Sequence, residues 1–240
     1  MRILATDLDG TFLGGSDAAR ARLIAHFRDH PDRTLLYVTG RSTDSVARLV
    51  EAGRLPRPDA MICDVGAFVA HGDGLPMEGP LLHGIRDAWG NRSDVVRAAF
   101  EDTAGLRLQE RFGPYRVSYY FDDPAVLPAA QARAAQLGCD GLVSDNLYFD
   151  VLPQGVNKGS TLRRLLQEWK VGEEEVLVAG DTLNDLAMLS TGLPAVAVGN
   201  SEPGLLERLP AHPRLLRATA HGSDGILEAL EHFGTEVVHV

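Results

Sequence analysis

The sequence predicts an α/β fold: an open, doubly wound parallel core sheet with a small α+β domain inserted into it. Three observations carry this. Short apolar runs, of strand length and continuous enough for burial on both faces, alternate with amphipathic helical stretches at both ends of the chain. Aspartates follow directly on the first of these runs and on a later one. Between about residues 83 and 153 the apolar period shortens to two, the spacing of a sheet with one covered face.

Taken in order, ILATD (3–7) is a buried strand ending in carboxylate, and 18–30 has helical spacing with Leu23, Ile24 and Phe27 on one face. TLLYVT (34–39) is a second strand, 43–52 a helix with apolar Val46, Leu49 and Val50, and AMICDV (60–65) a third strand before a Gly-punctuated stretch. After residue 153, a helix over 162–169, a strand at 175–181, a helix opening at 185, a strand at 195–199 and a helix over 226–233 complete a Rossmann-like βαβ pattern. The intervening part reads as a helix (92–104), two alternating segments (LRLQER and YRVSYYFD), a helix (125–137) capped by Asp123, and alternating LYFDVLP. The expected organisation is therefore a core of 1–82 and 154–240 with an inserted cap, 83–153.

Composition narrows the function. The chain has 240 residues and a net charge of −10, with no basic run or stripe, so neither nucleic acid nor an anionic membrane is an expected partner. No apolar run reaches membrane-spanning length, and MRILATDLDG places two aspartates where the apolar part of a signal peptide would continue. Cys63 and Cys139 form no CxxC and are expected as buried reduced thiols. The expectation is a cytoplasmic protein, a monomer or weak dimer.

The chemistry-bearing residues gather where an open sheet binds ligands, beyond the carboxyl ends of its strands. Asp7 and Asp9 share one strand face, and Asp181 and Asp185 follow a later strand. Four converging acids repel one another unless a cation sits among them, and a hard divalent ion with oxygen ligands, Mg²⁺, suits the set. Thr39 ends the second strand, where its hydroxyl and neighbouring amides can hold phosphate oxygens beside Gly40 and Arg41. Lys158 lies in QGVNKGS, a segment without Walker glycine spacing, and its ammonium can neutralise phosphate and nucleophile together. In the cap strands, Arg116, Ser118 and Tyr120 alternate with Val117, Tyr119 and Phe121, and Tyr148 and Asp150 with Leu147, Phe149 and Val151. The polar face becomes a roof for a polyhydroxylated ligand if the cap closes over the sheet ends, with Arg116, Tyr120 and Asp150 as its candidates. His221, His232, Trp89, Trp169, Arg163 and Arg164 read as structural or solvated.

These motifs resemble those of the haloacid-dehalogenase superfamily: DLDGT (7–11), Thr39, Lys158 and GDTLND (180–185) match its four motifs in order. The resemblance implies an aspartyl-phosphate phosphatase with Asp7 as nucleophile and Asp9 as acid/base. It places Mg²⁺ on Asp7, the Asp9 backbone carbonyl and Asp181, with Asp185 close behind and Asn184 near the substrate, and it implies a B-subtype second-class cap. VTGRSTDSVARLV, NLYFDVLPQGVNKGSTLRRLL, VLVAGDTLNDLAML and AVAVGNSEPGLLE are similar to the sucrose-phosphate phosphatase family. Gly10 stands where that family often has Asn or His, and Ala67-Phe68 where Thr-Glu is common. The implied substrate is a sugar phosphate: sucrose 6-phosphate or a related disaccharide or glycosyl phosphate, with mannosylfructose phosphate and mannosylglycerate phosphate as alternatives. A phosphomutase is the rival enzyme. A non-catalytic sugar-binding module is the rival of another class, and it would lack one of the acids or the lysine.

Overall fold

A computed structural model of the chain describes residues 1–144 and 146–234, so the last six residues of the expected core lie outside it. Strands β1 (Ile3–Thr6), β2 (Thr34–Val38) and β3 (Ala60–Cys63) lead away from β1 on one side of the core sheet. On its other side stand β9 (Val176–Gly180), β10 (Ala195–Ala197) and β11 (Leu215–Arg217). These six are parallel, in the order β11-β10-β9-β1-β2-β3, and β1 is the switch point. An antiparallel edge strand, β4 (Phe68–His71), extends β3 from what the sequence showed only as a Gly-punctuated stretch.

Alternation along β1 explains the two-sided core. Ile3 and Ala5 join the cluster under α6 (Lys158–Glu168), while Leu4 joins the one under α1 (Asp17–Asp29), α2 (Thr43–Glu51) and α7 (Gly222–His232). The helices begin where the chain offers caps: Ser16 accepts from the Ala19 amide and Ser42 from the Ser45 amide. Asn157 and Ser160 close a reciprocal box on α6.

The inserted part holds a second, antiparallel sheet in the order β5 (Leu106–Leu108), β6 (Val117–Phe121), β8 (Tyr148–Pro153) and β7 (Cys139–Ser144). Helices α4 (Arg92–Phe100) and α5 (Leu127–Gln136) pack on it around Trp89, Phe100, Tyr119 and Phe149. The helix expected over 92–104 stops at Phe100, and the chain turns on through Gly105, whose φ is 84°. A further helix, α3 (Pro80–Trp89), precedes it and carries Leu81 and Ile85 into the core and Trp89 into the cap cluster. Leu147 precedes β8 and is exposed rather than facing the cap helices. Cys63 and Cys139 are free and buried, and Trp89 and Trp169 pack as expected. Among the described residues no helix is long and apolar enough to cross a membrane.

One buried group ties stability to pH. His26 of α1 is buried beside Arg33 and His30, and burial first, then the Arg33 guanidinium, hold its imidazole down at about 4. The folded state thus takes up this proton at lower pH than the unfolded chain does. The stability it contributes is complete above the ordinary histidine value of about 6.5 and is lost progressively as pH falls toward 4. Thermal unfolding between pH 7 and 4.5 should show a decline in Tm that His26→Gln flattens; an identical decline in the variant would remove His26 as its source.

Candidate active site

The site stands at the carboxyl ends of β1, β2, β3 and β9. Asp7 leaves β1 with its amide bonded to the Ala179 carbonyl of β9 (2.9 Å), so two adjacent strands fix its backbone. The chain then coils tightly through Leu8–Phe12, where Gly10 has a φ of 78°. A Cβ on Gly10 would lie 2.0 Å from Asp181 Oδ2, so with glycine here the Asp181 carboxylate packs directly against the turn, and a side chain would make it shift.

Three buried acids, Asp7, Asp181 and Asp185, bring carboxylate oxygens within 4.8 Å of one another. Lys158, fully buried at the start of α6, donates from Nζ to Asp7 Oδ1 (2.7 Å) and Asp185 Oδ1 (2.6 Å). The other Asp185 oxygen accepts from the Asp181 and Thr182 amides (2.9 and 3.0 Å). Thr11 Oγ1 donates to Asp181 Oδ1 at 2.6 Å, and Asn200 Nδ2 to Asp181 Oδ2 at 3.4 Å. Burial raises the Asp7 carboxyl well above the usual range; Lys158 pulls it down while Asp185 and Asp181 push it further up. Burial alone would lower Lys158, but Asp185 and Asp7 carry it above the ordinary lysine value. Buried, oxygen-only and mutually repelling, this donor set fits a hard divalent cation.

Asp9 is placed differently from the other acids. Its carboxylate lies outside the cluster, half-exposed, and accepts a two-pronged bond from Arg41 Nε and Nη2, both at 2.6 Å. Arg41 Nη1 also donates to Ser45 Oγ at 2.9 Å. Thr39, buried at the end of β2, accepts the Arg41 amide on its hydroxyl (3.1 Å). Arg41 therefore anchors Asp9 while its own amide is held by Thr39.

Above this floor opens a cleft of about 470 Å³. Of the residues expected from the sequence, Asp7, Asp9, Gly40, Arg41, Asn184, Arg116, Tyr120 and Asp150 line it, whereas Thr39, Lys158, Asp181 and Asp185 sit beneath. The guanidinium of Arg116 is engaged on both sides, by Asp64 (3.1 Å) and Asp150 (3.3 Å). Tyr148, expected on the polar face but not singled out, also lines the cleft and pairs in register with Tyr120 across β6 and β8, their rings 5.6 Å apart. Sequence reasoning missed Asp64: it follows β3 as Asp7 follows β1, the very placement that singled out the other acids.

The sequence profile of the sucrose-6F-phosphate phosphohydrolase family matches residues 1–234. The chain is 44% identical over 97% of its length to part of a glucosylglycerol-phosphate synthase from Pseudomonas anguilliseptica, spanning 31% of that protein. It is 30% identical to a mannosylfructose-phosphate phosphatase from Agrobacterium fabrum, covering 98% of this chain and 97% of that one. The solved sucrose-phosphatase from Synechocystis sp. PCC6803, in complex with sucrose and phosphate, superposes with a TM-score of 0.86 at 28% identity, covering 97% of this chain and 98% of that one. The fold is that of the haloacid-dehalogenase phosphatases, and the chain belongs to the sucrose-6F-phosphate phosphohydrolase family.

Proposed function

We propose that this chain is a Mg²⁺-dependent phosphatase for a glycosyl phosphate of the glucosylglycerol phosphate kind. The observation that carries the reading is the buried lysine joining two acids under a cleft with a polar, aromatic roof. The 44% identity to a segment of a glucosylglycerol-phosphate synthase supports the substrate class. Sucrose 6-phosphate or mannosylfructose phosphate is the second reading, favoured by the family profile and the Agrobacterium relative.

In the proposed reaction an Asp7 oxygen attacks phosphorus and the bond from phosphorus to the sugar oxygen breaks. Asp9, oriented by Arg41, gives a proton to the leaving alkoxide. The same residue then takes a proton from the water that cleaves the aspartyl phosphate, releasing inorganic phosphate and restoring Asp7. Thr39 and the Gly40–Arg41 backbone would hold phosphoryl oxygens, and Asn184 lines the same cleft as Gly40 and Arg41. Asp7, Asp181 and the Asp9 carbonyl, backed by Asp185, would hold Mg²⁺, which supplies positive charge against the phosphoryl oxygens. The proposal includes a cytoplasmic monomer or weak dimer, in keeping with two free, buried thiols.

Phosphate release tests the reading. The purified chain with Mg²⁺ is assayed on glucosylglycerol phosphate, sucrose 6-phosphate, mannosylfructose phosphate, mannosylglycerate phosphate and glucose 6-phosphate. The expected result is inorganic phosphate from single-substrate turnover, stopped by chelator. The kcat/KM for glucosylglycerol phosphate should exceed that for glucose 6-phosphate by about tenfold or more. Equal rates on all five would contradict the substrate class, and isomerised sugar phosphate without free phosphate would show a mutase.

A further inference from the structure

The cleft roof contains a carboxylate that its own surroundings do not use up. Asp150 is buried to 3% exposure and lines the cleft. Both Ser118 Oγ and Arg116 Nη1 donate to the same oxygen, Oδ1, and neither of them engages Oδ2. A carboxylate oxygen that its neighbours leave open at a cleft wall is an acceptor available to a ligand donor.

What aims this acceptor comes from the core. Arg116 spans from Asp150 of the cap to Asp64, which follows β3, and all three are at least nine-tenths buried. Asp64 and Val65 both have left-handed φ values, 54° and 58°, a strained pair for non-glycine residues and more so for a β-branched one. Two bonds hold this turn against the loop beneath the phosphate place: Asp64 amide to Arg41 carbonyl (3.0 Å) and Val65 amide to Thr39 carbonyl (3.1 Å). From the cap side Gly113 lies directly against the Asp64 carboxylate, where a Cβ would sit 1.7 Å from Asp64 Oδ2. Phe68 and Tyr115 stack across the same joint with ring centroids 6.1 Å apart. One continuous set of contacts thus runs from the Thr39–Arg41 loop through Asp64 and Arg116 to Asp150.

We propose that Asp64 is a positioning residue for sugar recognition, acting through Arg116 to aim Asp150 Oδ2 at a hydroxyl of the bound glycosyl unit. The inference rests on the glycosyl-phosphate reading and deepens it. An anionic acceptor selects a neutral hydroxyl donor at that place and repels a carboxylate.

Steady-state kinetics on glucosylglycerol phosphate and p-nitrophenyl phosphate test this with wild type, Asp64→Asn, Asp150→Asn and the double variant. Each single variant should raise KM for the sugar phosphate about tenfold, with a smaller change in kcat. The kcat/KM preference for sugar phosphate over p-nitrophenyl phosphate should fall with it. The double variant should be no worse than Asp150→Asn alone, because both act through one acceptor. Arg116→Lys keeps the charge but loses the planar bridge, and carries the same expectation if Asp64→Asn folds poorly. Unchanged KM in a folded Asp64→Asn, losses that multiply in the double variant, or parallel losses on both substrates would overturn the positioning role alone. A wild type that cleaves p-nitrophenyl phosphate and no glycosyl phosphate would overturn the proposed function, and this inference with it.

Discussion

Asp7→Asn should lower kcat/KM on every phosphate ester by about 10⁴-fold or more, the scale of losing a covalent nucleophile. The nucleophilic oxygen must form a bond to phosphorus and later leave it, and an amide oxygen does neither at a useful rate. The substitution is close to isosteric. It leaves the Asp7 amide bonded to Ala179 and keeps an oxygen that can accept from Lys158, so the fold should persist. Circular dichroism and thermal unfolding alongside the kinetics check that the loss is chemical. Residual turnover within tenfold of wild type would contradict the assignment.

Lys158→Met should be nearly as damaging and should also cost stability. Lys158 is fully buried, and its ammonium is the charge set directly between Asp7 and Asp185. Removing one partner of a buried ionic set leaves uncompensated charge, at a cost of about 3–5 kcal/mol. Part of that cost is relieved by protonation of Asp7, already raised by burial, and a protonated Asp7 is no nucleophile. The expected result is a lower denaturation midpoint together with a fall in kcat of about 10³-fold or more. Wild-type stability would contradict the buried-charge account, and wild-type kcat would contradict the role of Lys158 in catalysis.

The floor of the site was legible because an open parallel sheet gathers whatever follows its strands. Asp7 after β1, Thr39 after β2 and Asp181 after β9 needed only strand ends to be recognised, and the structure brings them to one place. Lys158 is further from that rule, since it stands at the start of a helix, yet it points inward because α6 packs its first turn against Gly66, whose carbonyl accepts from Thr161 (2.8 Å). The roof was half legible. Period-two alternation correctly sent Val117, Tyr119, Phe121, Phe149 and Val151 to the cap helices. Cross-strand partners depend on register, which alternation along one strand does not state, so Tyr148 opposite Tyr120 stayed unread. Strand β7 escaped because Asp140 and Gly141 interrupt its apolar pattern. Asp64 looked like the tail of a strand, and its partner Arg116 comes from the cap, across a joint that only folding brings together.

The central claim is that the reaction passes through a phosphoryl group on Asp7, and one measurement addresses it directly. Asp9→Asn removes the base that activates water, and p-nitrophenolate leaves without needing a proton, so the first step runs while the second stalls. With Mg²⁺, p-nitrophenyl phosphate and an acid quench, peptide mapping by mass spectrometry should find one phosphoryl group on Asp7, matched by a stoichiometric burst of nitrophenolate. A burst with Asp7 unmodified, or with the phosphoryl group on another residue, would contradict the account.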